Sequence, residues 1–203
     1  MKSTPMLMSG PLVVPTLADL KTHTCRPVML PRSYDHDEVY SAFVDGAVAT
    51  LSCDPGPHRQ VRCPFGTVGD RIWIRETWQV VTGSQAGDLG AAVRYRDMSI
   101  RACWMPKENP MPLGLTWDRW RPSIHMPKWA SRITLEVTSV SVFRVQSASH
   151  DVLLREGIWT DSTDPTEGAL LARWQQVWTE IYGAESWAAN PWVWGIGFKR
   201  VQA

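Results

Sequence analysis

The 203-residue chain lacks three features that would classify it quickly: a strong net charge, a long apolar run and a paired-cysteine motif. Its 21 lysines and arginines against 20 acidic residues leave a formal charge of +1. That balance argues against a protein that grips long duplexes by neutralising many phosphates. The longest apolar stretches, such as Ala47–Leu51, fall far short of the roughly 20 residues of a membrane-spanning helix. Lys2 is followed by Ser, Thr and Pro, with none of the apolar core of a secretory leader. A cytoplasmic protein with no membrane partner is expected. The four cysteines Cys25, Cys53, Cys63 and Cys103 contain no CxxC pair, so no metal site is expected. His58 between Cys53 and Cys63 matches no zinc template. No cofactor is expected either, and reduced thiols fit the inferred compartment.

What is present is ordinary in bulk, with 44% apolar and 20% charged residues, and 203 residues suit one domain spanning 1–203 with elaborated loops. Twelve tryptophans stand out; such rings fill cores and also stack on bases. Pro11–Leu20 reads as a short amphipathic helix that Pro15 distorts. Leu30–Gly69, rich in Pro, Gly, Asp and His, reads mostly as loop. A strand is expected over Arg71–Val80, with Ile72, Ile74 and Glu76 on one face. A loop at Gln85–Gly90 leads to short strands near Ala92–Tyr95 and Ser99–Trp104. Pro106–Pro127 is an irregular insertion, and Ser131–Gln146 a strand with a phase slip that marks a bulge. A helix near His150–Arg155 is capped by Ser149 and stopped by Gly157. A longer helix starts at the cap-like Asp164-Pro-Thr-Glu167, buries Leu170, Trp174, Val177, Trp178 and Ile181, and ends at Gly183. Trp192–Phe198 reads as a closing strand. The fold class is α+β, a small mixed barrel flanked by helices, with insertions at about 27–66 and 105–130.

Leu17-Ala-Asp-Leu-Lys-Thr-His-Thr-Cys-Arg26 resembles the signature of ASCH proteins of the PUA-like superfamily, in which a helix leads into a Lys-Thr-x-Thr-x-Arg run. Gly69–Trp78 resembles that family's second strand, Leu153–Ile158 its Glu-Gly-Ile element, and Asn190–Phe198 its closing strand. Trp120–Arg132 resembles a larger subgroup often carried by phages and prophages. Cys25 stands where that subgroup commonly has a basic residue.

The resemblance implies a PUA-like fold and a cleft for a modified nucleoside or nucleobase. Bacterial ASCH amidohydrolases remove the acetyl group of N4-acetylcytidine with a Lys, a Thr and a Glu; by motif these become Lys21, Thr24 and Glu156. A threonine hydroxyl is a poor nucleophile until a base takes its proton. Glu156 sits at the carboxyl end of a helix, where exposed carbonyls disfavour a negative charge and suit it to proton transfer. When exposed, that penalty is only ~0.3–1 kcal/mol, so a plain solvated glutamate is the competing reading. Arg26 is a candidate for a substrate oxygen or phosphate. Glu76 lines a site or forms a structural pair with Arg71, Arg75 or Lys21. Trp78 is a stacking wall or core, while His125 and Lys128 are lid candidates or plain surface. The alternative function is an RNA-binding module or weak ribonuclease using the same basic cleft, with single-stranded RNA as partner. A third reading is a phage accessory protein that reads a modified base without chemistry.

Overall fold

A computed structural model describes residues 1–30, 39–53, 56–81, 90–104, 119–159 and 166–201. Its centre is a five-stranded sheet in the order β1 (Ser3–Leu7), β6 (Arg71–Arg75), β10 (Thr134–Arg144), β11 (Trp192–Val201), β2 (His23–Pro27). Only β1 and β6 run parallel; the other neighbours are antiparallel. Among the described residues β1 and β2 keep free outer edges. The sheet therefore does not close on itself, and the expected barrel is not a closed one. The architecture is mixed α+β with several sheets. Among the described residues no helix is long and apolar enough to cross a membrane.

β11 is buried without interruption from Trp192 to Phe198 because both faces are covered. On one face Trp192, Trp194, Ile196 and Phe198 join a core with Ile72, Ile74, Ile133 and Leu135. On the other, Val193 and Cys25 join a second core with Leu153, Leu170, Trp174 and Trp178 from the helices. The phase slip expected in the long strand is real: the β10–β11 register shifts between Val137 and Ser139.

Two more antiparallel sheets flank this centre. β3 (Val39–Asp45), β4 (Val48–Cys53) and β5 (Arg59–Arg62) form one of them, inside the segment the sequence reads as loop. Val39, Ala49, Leu51 and Cys53 seat that sheet on the first core. Its turn residues obscure strands that are short and half exposed. β7 (Trp78–Val81), β8 (Gly90–Tyr95) and β9 (Ile100–Trp104) form the other. The expected strand Arg71–Val80 is thus two strands in two sheets, broken at Glu76–Thr77. β1 is a strand the sequence reading lacks.

The helices follow the sequence closely. α1 (Gly10–Leu17) begins with proline in its first turn and carries Pro15 inside. α2 (His150–Glu156) is capped by Ser149, whose side chain accepts the Val152 N–H, and stops at Gly157 with φ +83°. That left-handed angle favours glycine over any residue with a Cβ. α3 (Glu167–Tyr182) buries Leu170, Trp174 and Trp178, while Ile181 stays half exposed. Its cap is Thr166, which accepts the Ala169 N–H. Asp164 of the expected box lies outside the described residues, as do positions 85–89 of the Gln85–Gly90 loop and positions 105–118 of the insertion. α4 (Ala184–Ala188) leads into β11.

Candidate active site

The junction of α1, β2 and α2 is fixed by backbone contacts. Thr22 N–H donates to the Arg155 carbonyl at 2.9 Å, and Phe198 N–H donates to the Thr22 carbonyl at 2.8 Å. Lys21 N–H reaches back to the Pro15 carbonyl of α1 at 3.1 Å. The segment before β2 is thereby pinned to the last turn of α2, and Lys21 and Glu156 meet. Lys21 Nζ lies 3.0 Å from Glu156 Oε1 and donates to the Glu156 backbone carbonyl at 2.7 Å. Lys21 is 1% and Glu156 4% exposed, so neither is the solvated residue of the competing reading. The ammonium answers both charges Glu156 brings there, its carboxylate and the carbonyl at the helix end.

Strand alternation distributes the rest of the motif. His23 and Cys25 share the face toward α2, opposite Gly197 and Gly195 of β11. Thr24 shares the other face with Ile196. Because β2 is an edge strand, both faces reach the groove along its free edge. That groove is lined by Thr24, Cys25 and Arg26 from β2, by Glu156 and Ile158 from the α2 end, by Leu12 of α1, and by Trp174, Val177, Ile181 and Tyr182 of α3. It is narrow, with a volume of only about 20 Å3, room for little more than one water. It shares Leu12, Ile158, Val177 and Ile181 with an outer cleft of about 320 Å3, open to solvent, where Trp159, Arg173 and Glu180 stand.

His23 Nδ1 sits 3.5 Å from Glu156 Oε2 and 3.9 Å from Cys25 Sγ. A Cβ at Gly195 would collide with the Phe143 ring and Ser141 hydroxyl and come within 3.0 Å of His23 Nε2. Glycine thus leaves room for the Phe143 ring and Ser141 hydroxyl, with the His23 ring stacked 6.4 Å from Phe143. Burial, followed by the charge of Glu156, pushes the Cys25 thiol well above the usual thiol range. Glu156 Oε2 is buried without a hydrogen-bond partner among the described residues. His23, Cys25 and Glu156 are the donors there whose atoms come close enough to share an ion.

The sequence candidates separate cleanly. Thr24, Arg26 and Glu156 line the groove, with Lys21 behind them against the Glu156 carboxylate. Arg26 is held internally, donating to the Leu7 carbonyl at 2.6 Å and to the Tyr182 hydroxyl at 3.4 Å. Glu76, Trp78 and His125 lie elsewhere, where β6 passes into β7. Glu76 is bound by both Arg132 nitrogens, at 2.8 and 2.7 Å; the partners weighed from sequence, Arg71, Arg75 and Lys21, are not the ones used. Trp78 is 1% exposed, edge-on to Trp129 with its ring 5.2 Å from the Arg121 guanidinium, so it packs rather than forming an open wall. His125 and Lys128 are exposed. His23, Cys25 and Trp159 were not singled out from sequence; alternation of β2 beside Lys21 was the available signal for the first two. In comparisons with known proteins, the chain matches no family model, no curated protein and no solved structure.

Proposed function

We propose that the chain is an ASCH-type protein of the PUA-like superfamily that hydrolyses the acyl amide of an N4-acylated cytosine or cytidine. The observation that carries this reading is the buried Lys21–Glu156 pair, whose carboxylate lines a groove that the buried Thr24 also lines. A buried amine and carboxylate 3.0 Å apart exchange a proton without a large change in local charge, which is what an acyl transfer at neutral pH requires. The outer cleft, of a volume usual for ligand sites, takes the base and sugar, with Trp159 beside them.

In this reading the Thr24 hydroxyl attacks the acyl carbonyl carbon while Lys21, having passed a proton to Glu156, takes the hydroxyl proton. The tetrahedral adduct collapses, the carbon–N4 bond breaks, and N4 leaves with a proton from the Lys21–Glu156 pair. Water, deprotonated by the same pair, then cleaves the acyl-threonine to free acid and regenerated hydroxyl. Thr24→Ala and Lys21→Ala are expected to lower cytidine release from N4-acetylcytidine by ~10^2-fold or more each, with unchanged circular dichroism. Chromatography of the products measures this, and full turnover in both variants removes the mechanism. Against the RNA-binding alternative stand the near-neutral charge and the internal engagement of Arg26. Salt-dependent retention of single-stranded RNA on filters would restore it.

A further inference from the structure

We propose that His23, Cys25 and Glu156 form a binding site for a thiophilic divalent cation, by donor chemistry Zn2+, at the inner end of the groove. Three observations converge. The first is spacing. Sγ and Nδ1 are 3.9 Å apart, Nδ1 and Oε2 3.5 Å, and all three donor atoms lie within 4.8 Å of one another. A point equidistant from three atoms so placed is about 2.1–2.4 Å from each, against ~2.0–2.3 Å for zinc bonds to imidazole, carboxylate and thiolate.

The second is the state of the carboxylate. Oε1 is taken by the Lys21 ammonium at 3.0 Å, whereas Oε2 has no well-formed hydrogen bond, only the His23 imidazole at 3.5 Å and the weak Cys25 S–H donor beside it, although Glu156 is only 4% exposed. A buried carboxylate oxygen so weakly satisfied is costly unless something positive visits it. Lys21 on the other oxygen holds the carboxylate in orientation, as the outer hydrogen bonds of metal ligands do.

The third is chemistry and charge. An imidazole, a thiolate and one carboxylate oxygen favour zinc over magnesium or calcium, which seek oxygen cages. Binding replaces the thiol proton: the Sγ–H bond breaks, a sulfur–metal bond forms, and the proton goes to solvent. The pair Lys21–Glu156 is neutral without metal, and the dication with the new thiolate adds a single positive charge. Cys25 and Glu156 both line the groove, so the fourth position opens toward it. A cation there holds the carboxylate that the proposed hydrolysis uses, and Zn2+ would slow that reaction. The binding itself does not rest on that reading.

The test is spectroscopic and needs no substrate. The full chain, freed of metal with a chelator, is titrated with Co2+, and a thiolate-to-cobalt charge-transfer band is expected in the near ultraviolet, rising as pH rises and displaced by Zn2+. Cys25→Ser abolishes the band. His23→Ala weakens the affinity at least tenfold, and Cys53→Ser, which alters a buried cysteine of the other core, leaves it unchanged. Circular dichroism confirms the fold of each variant; should Cys25→Ser not fold, His23→Ala against wild type decides. No band in the wild type, or a band that survives Cys25→Ser or is indifferent to His23→Ala, overturns the site.

Discussion

Two glutamate–cation pairs are buried among the described residues, and they are built oppositely. Glu76 is closed: both oxygens accept from one Arg132 guanidinium, which also reaches Asp97 at 2.9 Å and stacks 4.0 Å from the Tyr95 ring. Glu156 is open: one oxygen meets a lysine, and the other is left beside an imidazole and a thiol at the wall of a groove. Both are 4% exposed, so burial does not distinguish them. Hydrogen-bond saturation does. A planar guanidinium fills a carboxylate's lone pairs and leaves it nothing further to do, whereas an ammonium is a point charge that leaves one side unanswered. The first arrangement locks the crossing from β6 to the β7–β9 sheet; the second keeps a group available to a ligand.

If the proposed hydrolysis holds, the contrast is sharpest in turnover. Glu156→Gln is expected to cut turnover of the acylated nucleoside by ~10^2–10^4-fold, while Glu76→Gln leaves turnover per folded molecule within about threefold. Equal losses in steady-state assays would erase the division of labour. Next in size is stability. Glu76→Ala leaves Arg132 with only Asp97, Ser99 and the Tyr95 ring and should cost about 3 kcal/mol, near the lower end for breaking a buried pair, read as a shift in the urea midpoint at constant slope. The smallest effect is in pH. Burial raises the Glu76 carboxyl above the ordinary glutamate range, opposed by Arg132. The folded state then holds that proton more tightly than the unfolded chain. Its contribution is fully present below the unfolded value and lost as pH rises through the folded one. Wild type should therefore lose thermal stability relative to Glu76→Gln across that window, and no relative change would refute the assignment.

Much of this was legible in the chain. Ser149 and Gly157 fix the two ends of α2, and thus the position of Glu156, by local rules that tertiary packing does not override. The Val137/Ser139 slip is local for the same reason. Legibility fails where a partner is distant in sequence. Nothing near Glu76 names Arg132, and Lys21 meets Glu156 only because β2 docks beside α2. His23-x-Cys25 is visible as a pair of donors, yet its third member stands on another element, which spacing templates do not span. β3–β5 went unread because prolines, glycines and histidines around them outweighed a short alternation at Ala49 and Leu51.

Among the described residues β2 has one strand neighbour, β11, while the other centre strands join through β10 and β6. During synthesis on the ribosome, the segment bearing Lys21 and Thr24 therefore emerges early and must wait, without its sheet partner, until β11 has been made. Because β11 also gives Trp192, Trp194, Ile196 and Phe198 to one core and Val193 to the other, a nascent or clipped chain lacking that strand loses the groove and the packing of both cores together.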